Sequence, residues 1–309
     1  MDTLALNRSE DQKVYFSTHT LAGDTTEALL RSAQLDWEYL SSPVKYDTAQ
    51  GERVNDNSVV LYRSDNLDPV ATVSNRFKPV QPKELVDFYL NLSRAGHYQL
   101  DALGCVGGGS KIWGLAKGTT EFRIQGQDVV EPYLFFATGN DGNAATQIKI
   151  ISKRRVCNNQ LDATLSEPGR WKIVIPHSTT VDFDAITKRF TELPGTWSNF
   201  EATSNVLADQ TIEDKKAFEI FYQIYVNKDD SNATIEKKTT RMMELYKYHP
   251  TQQLRSTQKT AWGVVNAVTL YEDHLYGNSK TSDASRFKSA MMGPGEKRKA
   301  QVWELVQAA

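Results

Sequence analysis

Residues 133–165 constrain the fold of this chain more than any other stretch. The segment opens with an apolar run, Tyr133-Leu134-Phe135-Phe136-Ala137, and turns through Gly139-Asn140-Asp141-Gly142. It returns as the alternating Gln147-Ile148-Lys149-Ile150-Ile151. Aromatic and β-branched runs on either side of an Asn-Asp-Gly turn predict a β-hairpin. The second strand then carries Lys153-Arg154-Arg155 to a sheet edge, and Val156-Cys157-Asn158-Asn159 leads into a helix start. Three adjacent cations ordinarily form a solvated surface. The neighbouring amides can also donate to phosphates or bases, which makes nucleic-acid contact the second reading.

Composition sets the outer bounds. A chain of 309 residues with 39% hydrophobic and 24% charged residues has the balance of a globular protein with a sizeable core. No apolar run approaches the roughly 20 residues of a bilayer span. The first residues lack a basic stretch followed by an apolar one, so no secretory signal is expected. Cys105 and Cys157 cannot build a disulfide framework, and they suit a reducing cytoplasm. A net charge of -2 argues against a uniformly cationic surface. Nucleic-acid binding then depends on where the cations cluster.

Periodicity predicts an α+β fold, with an antiparallel β-rich N-terminal half packed with helices and a mostly helical C-terminal half. The expected regions are an N-terminal arm over 1–23, an α+β core with an antiparallel sheet over 24–177, and a helical region over 178–309. Thr25-Thr26-Glu27 caps a short helix. Strands follow from Trp37, Val59 and Val70, with a polar turn over 47–57. A helix from Lys83 to Ala95 ends at Gly96. Strands over 98–106, 111–116 and 129–137 then lead into the hairpin, and 171–175 gives one more short strand. Helices are predicted over 181–203 with a break at Pro194-Gly195, and over 209–226, 234–248 and 296–307, with a further one inside 252–276 around Trp262, Val265, Val268 and Tyr271. Phe218, Phe221, Tyr222 and Tyr225 are their expected anchors in the second of these.

Sites for chemistry are sparse. Gly107-Gly108-Gly109-Ser110-Lys111 lacks the spacing of a phosphate-binding loop and reads as a hairpin turn, with Lys111 placed to meet a phosphodiester. The five histidines are scattered, without ligand spacing, so no metal site and no cofactor is expected. Cys157 reads as a buried structural cysteine, although pairing with a distant His177 or His274 is the catalytic alternative. Asp182, Asp184, Asp229 and Asp230 fall where carboxylates cap and solvate. No catalytic residue is predicted. Basic and aromatic residues do interleave, at Arg63 beside Tyr62, at Arg76-Phe77-Lys78, at Lys111 with Trp113, and over 149–155. Single-strand binding uses this combination, with cations along the backbone and planar groups beneath the bases.

Several motifs in fixed order resemble one family. They are Leu61-Tyr62-Arg63-Ser64-Asp65, the run from Val73 to Pro82, Gly108-Gly109 with Lys111-Ile112-Trp113, Asp141-Gly142, and Arg155-Val156-Cys157-Asn158-Asn159. Thr260-Ala261-Trp262 with Asn266-Ala267-Val268, and Arg286-Phe287 before Gly293, complete the pattern. Together they are similar to a phage/plasmid-like protein family of unknown function, the domain-of-unknown-function 932 type. The order of elements is also similar to that of phage single-strand annealing proteins. That second likeness implies a non-catalytic protein that binds and anneals single-stranded DNA in phage-type recombination or replication. It would work as a ring or filament of identical subunits in the host cytoplasm, away from membranes. Lys149, Lys153, Arg154 and Arg155 would then hold phosphates, with Asn158 and Asn159 donating nearby. Arg63, Arg76, Lys78 and Lys111 would extend the groove. The alternative is an interaction protein that binds and inhibits a host factor.

Overall fold

The computed structural model describes residues 21–96, 98–157, 159–166, 172–191, 196–278 and 280–309. Most of the expected arm, together with Asn158, Trp171 and the Pro194-Gly195 break, lies outside the described residues.

The predicted hairpin is the centre of a seven-stranded antiparallel sheet. Strands β4 (Tyr98–Val106), β5 (Lys111–Gly118), β7 (Asp128–Gly139), β8 (Ala144–Arg154) and β10 (Lys172–Ile175) lie in the order β10-β8-β7-β5-β4. The short β6 (Phe122–Ile124) pairs with β7, and β9 (Gln160–Asp162) pairs with β8. Strand β8 is therefore interior, not the basic edge that was expected, and it is followed by a turn and β9 in place of a helix. Its register sets Leu134 opposite Ile150 and Phe136 opposite Ile148 on one face, with Tyr133 opposite Ile151 and Phe135 opposite Lys149 on the other.

Both faces are covered, which is why β7 reads as a nearly continuous apolar run. Helix α2 (Pro82–Arg94) lies on the first face and buries Leu85, Phe88, Tyr89 and Leu92. At its start the Glu84 carboxylate accepts from the Gln81 backbone N–H at 2.8 Å. The Tyr89 hydroxyl donates to the Gly114 carbonyl at 2.6 Å, and a Cβ at Gly114 would sit 2.3 Å from the Tyr89 ring. Glycine here lets the helix reach the sheet backbone. Helix α8 (Asp283–Met292) covers the second face, setting Phe287, Ala290 and Met291 against Trp113, Phe135 and Ile151.

A separate three-stranded meander consists of β1 (Tyr39–Thr48), β2 (Gly51–Arg63) and β3 (Pro69–Ser74). The expected polar turn over 47–57 is mostly strand, since Thr48 already pairs with Gly51 and Val44 with Asn55. Because β3 pairs with β2 only from Ser58 to Tyr62, the outer half of β1 and β2 is a two-stranded ribbon. Nearly all of its residues are exposed on both faces, so no alternation marks it as strand.

The remaining helices are α1 (Thr26–Ser32), capped by Thr25, then α3 (Phe183–Thr191), α4 (Thr196–Asp209), α5 (Asp214–Tyr225), α6 (Asn232–Tyr248), α7 (Ala261–Leu270) and α9 (Pro294–Gln307). One apolar cluster runs from Leu29 in α1 through the first sheet face to Val302 and Trp303 in α9. Of the expected α5 anchors, Phe221 is buried and Tyr225 packs against the core, but Phe218 and Tyr222 are 41% and 44% exposed. No helix among the described residues is long and apolar enough to cross a membrane.

Candidate nucleic-acid interface

The sheet separates the predicted contact residues into two groups. Strand β8 spans eleven residues, so its ends are roughly 35 Å apart. Lys153, Arg154, Arg155 and Asn159 lie at its far end. Arg63, Arg76, Lys78 and Lys111 gather around the β4–β5 and β7–β8 turns at the other. Lys149 falls between them, and Asn158 is outside the described residues.

The far end is largely neutralised from within. Arg154 is 2% exposed, and its Nε lies 2.7 Å from both oxygens of Asp128. Asp128 also accepts from the Ser256 hydroxyl at 2.9 Å and the Trp262 indole at 3.1 Å. Nη1 of Arg154 approaches the Cys157 sulfur at 3.8 Å. Burial pushes the Cys157 thiol up to about 11, and a thiol so protonated is no nucleophile. Asn159 donates to the Asn266 carbonyl in α7 at 3.1 Å. Arg155 is exposed but lies between Glu121 and Glu131, at 2.5 and 2.6 Å. Lys153 is half-buried, with its ammonium 5.2 Å from the Tyr133 ring centre. Two of the three consecutive cations thus face outward and one faces inward.

Lys149 is also internal. It donates to the Met291 carbonyl at 2.9 Å and to Glu296 at 2.7 Å, and Lys172 reaches the same carboxylate at 2.7 Å. The next turn of α9 continues this pattern. Arg298 clasps Glu272 at 2.7 and 2.9 Å, and Lys299 reaches Asp273 at 2.7 Å. Glu272 and Asp273 stand in a π-helical turn, Tyr271–Leu275, that extends α7. Enclosed side chains of this kind reach no external phosphate or base. Lys149, Arg154 and Asn159 are therefore corrected from groove contacts to internal ones, because the partners that bury them come from distant parts of the chain.

These pairs predict acid sensitivity. Burial pushes the Glu296 carboxyl up, but Lys149 and Lys172 more than offset this and leave it below the ordinary 4.5. Asp141 and Glu131 are lowered in the same way, by Lys111 with Asn143 and by Lys117 with Arg155. A carboxylate lowered in the folded state contributes stability that is present above its unfolded pKa and lost as pH falls through the folded one. Urea midpoints should hold from pH 7 down to about 5 and then fall steeply. In Lys149→Met, the midpoint should fall less steeply over the acid range.

The turn end is more open. Lys111 is 5% exposed and paired with Asp141 at 2.5 Å, so it too is internal. Arg63 is held by Asp65 and lies over the Trp37 ring, 4.3 Å from its centre. Arg76 and Lys78 are exposed, and Lys78 donates to the Thr180 hydroxyl at 2.8 Å. Phe77 turns between them toward a cleft of about 670 Å³, lined by Thr72, Ser74, residues 141–145 of the β7–β8 turn and the start of β8, and Pro176-His177. There Phe77 stacks on His177, with ring centres 4.2 Å apart. His177 is fixed by the Lys78 carbonyl at Nδ1 (2.9 Å) and the Thr138 hydroxyl at Nε2 (3.3 Å). His177 had no local motif to mark it, and only the return of the chain through β10 brings it to Phe77. Among the described residues, no group of three or more His, Cys, Asp or Glu could hold a metal ion.

The run that forms this cleft, from Val73 to Lys78, lies inside a longer matched region. Residues 69–291, well over half of the chain, match the family described as Domain of unknown function (DUF932). The chain belongs to the DUF932 family. No curated protein and no solved structure matches it. The matched DUF932 region takes in β3, the whole large sheet, and the helices from α2 to α8. It includes the Arg154–Asp128 pair and the cleft, and it leaves out α1, β1, β2 and α9.

Proposed function

We propose that the protein is a non-catalytic binder of single-stranded DNA that presents the strand for annealing, in phage-type recombination or replication within a host cytoplasm. The observation that supports this most is the turn-end cleft, where a Phe77–His177 stack lies beside the exposed Arg76 and Lys78 on one extended segment. Bases would stack at the aromatic pair while the two cations follow the backbone. Holding a strand in extended form needs no nucleotide cofactor. Lys153 and Arg155 would be secondary contacts at the far end of the sheet.

Fluorescence anisotropy with a labelled single-stranded oligonucleotide, across a salt series and against a duplex control, tests the proposal. Arg76→Ala/Lys78→Ala should weaken binding and flatten the log–log salt slope by about 1.4, at roughly 0.7 for each phosphate no longer neutralised. No salt-sensitive binding by the unaltered protein at low salt would overturn it.

The second reading is a protein that binds and inhibits a host factor. The bare outer half of β1 and β2 supports it, because a free strand edge can accept a strand from a partner. A host protein captured from nuclease-treated lysate, and lost when residues 44–55 are replaced by a short turn, would favour that role.

A further inference from the structure

The outer face of the three-stranded meander is a bare sheet surface with a pattern of its own. Strand pairing sets Leu40 opposite Tyr62 and Tyr62 opposite Pro69, so one apolar row crosses all three strands. Leu61 and Val73 of the opposite face are buried, while Leu40 is 39% exposed and Pro69 is also exposed. Scattered exposed apolar side chains are ordinary, but a continuous row on an uncovered sheet face calls for a partner.

The turn that joins β2 to β3 adds a second, independent sign. Leu67, two residues before Pro69, is 70% exposed and has a φ of 62°, a left-handed backbone that Gly or Asn normally fills. Its N–H donates to the Arg63 carbonyl and the Arg63 N–H to the Asp68 carbonyl, both at 3.1 Å. Asn66 and Asp68 bond each other twice, at 2.9 and 3.0 Å. The turn is thus fixed from several sides in order to display a leucine, and packing within the chain does not account for that choice. The surroundings are acidic. Residues 36–68 hold seven carboxylates and three cations, although the whole chain is nearly balanced at -2. Arg63 is drawn off onto the Trp37 ring and held by Asp65. Glu38 and Asp68 are exposed, and neither has an ion-pair partner among the described residues.

We propose that this face docks a cationic amphipathic segment of another protein, one that carries Lys or Arg beside an apolar row. Leu40, Tyr62, Leu67 and Pro69 would take its apolar side, and Glu38 and Asp68 would meet its cations. Charge complementarity decides the class of partner, because the same carboxylates repel the phosphates of a nucleic acid. A leucine held on a turn fixed from several sides is pre-organised, so little freedom is lost when a partner covers it. The inference rests on neither reading of function given above. Pro69 opens β3, whereas the cleft is lined from Thr72 onward and the free ribbon edge begins at Val44.

The test is fluorescence anisotropy of the full chain with two short labelled probe peptides, in which Leu alternates with Lys in one and with Glu in the other. The Lys peptide should bind, more weakly as salt rises, and the Glu peptide should not. Leu40→Ser/Leu67→Gly should weaken binding of the Lys peptide by roughly tenfold or more, and Glu38→Lys/Asp68→Lys should do the same. Glu219→Lys/Glu236→Lys, which inverts exposed charges on α5 and α6, should leave it unchanged. Leu67→Gly alone should raise the melting temperature, because glycine adopts this φ without strain. A fall would return Leu67 to a structural role and overturn the proposal. So would absence of Lys-peptide binding, equal binding of both peptides, or binding untouched by the Leu40/Leu67 and Glu38/Asp68 variants. No outcome here depends on DNA, so failure would leave the strand-binding proposal to be judged by its own titration.

Discussion

Arg154→Ala is expected to destabilise the fold by about 3–5 kcal/mol, the range for removing one partner of a buried ion pair. Asp128 is fully enclosed, and with Arg154 gone it would keep only the Ser256 hydroxyl and the Trp262 indole. Urea unfolding followed by circular dichroism reads this directly, as a lower midpoint with an unchanged slope. Arg155→Ala is the internal comparison. It removes an exposed cation of the same basic run, and its carboxylate partner Glu131 keeps Lys117 at 2.8 Å, so the loss should be smaller. Equal stability of the two variants would mean that Arg154 is not enclosed as described. The comparison also bears on function, because weaker DNA binding by an Arg154 variant would report unfolding and not the removal of a phosphate ligand.

Gly263→Ala should cost about 3 kcal/mol or more, at the upper end of what overpacking a core produces. Every residue of α7 is buried. A Cβ at position 263 would stand 1.9 Å from the Thr257 carbonyl oxygen and 3.2 Å from the Tyr246 ring. The nearest atom belongs to backbone, so no rotamer change relieves the clash. The loop before α7 would have to move, and with it the Ser256 hydroxyl that meets Asp128. The thermal midpoint should fall sharply, and a variant melting like the unaltered protein would refute the close approach.

Local chemistry made much of the fold legible. The hairpin was clear because an Asn-Asp-Gly turn lies between two runs whose side chains are nearly all buried. Helix α2 was clear because its apolar positions repeat on one face. The ribbon was misread because solvent on both faces removes the alternation that marks a strand. Helix α8 was missed, although its Arg286-Phe287 stands out as a motif.

The site was less legible, for a different reason. Whether a lysine or arginine points into solvent depends on what it meets, and the partners here are remote in sequence. Glu296 lies 147 residues from Lys149, and Asp128 lies 26 from Arg154. A cluster of cations looks the same in the sequence whether its partners are phosphates or carboxylates of the same chain. Phe218 and Tyr222 show the converse. They fit the apolar pattern of an amphipathic helix and yet lie outside the core.

The start of α9 has a consequence for how such a chain can change over generations. Glu296, Arg298 and Lys299 tie one helix to the large sheet and to the π-helical turn through directional bonds. Apolar contacts tolerate gradual replacement by residues of similar size, but a charge whose counterpart disappears is left stranded. Mutations at these positions should therefore be inherited together with changes at Lys149, Glu272 or Asp273, and single exchanges should be rare. Comparison of related chains would show these residues as coupled letters, even though scores of unrelated positions separate some of them.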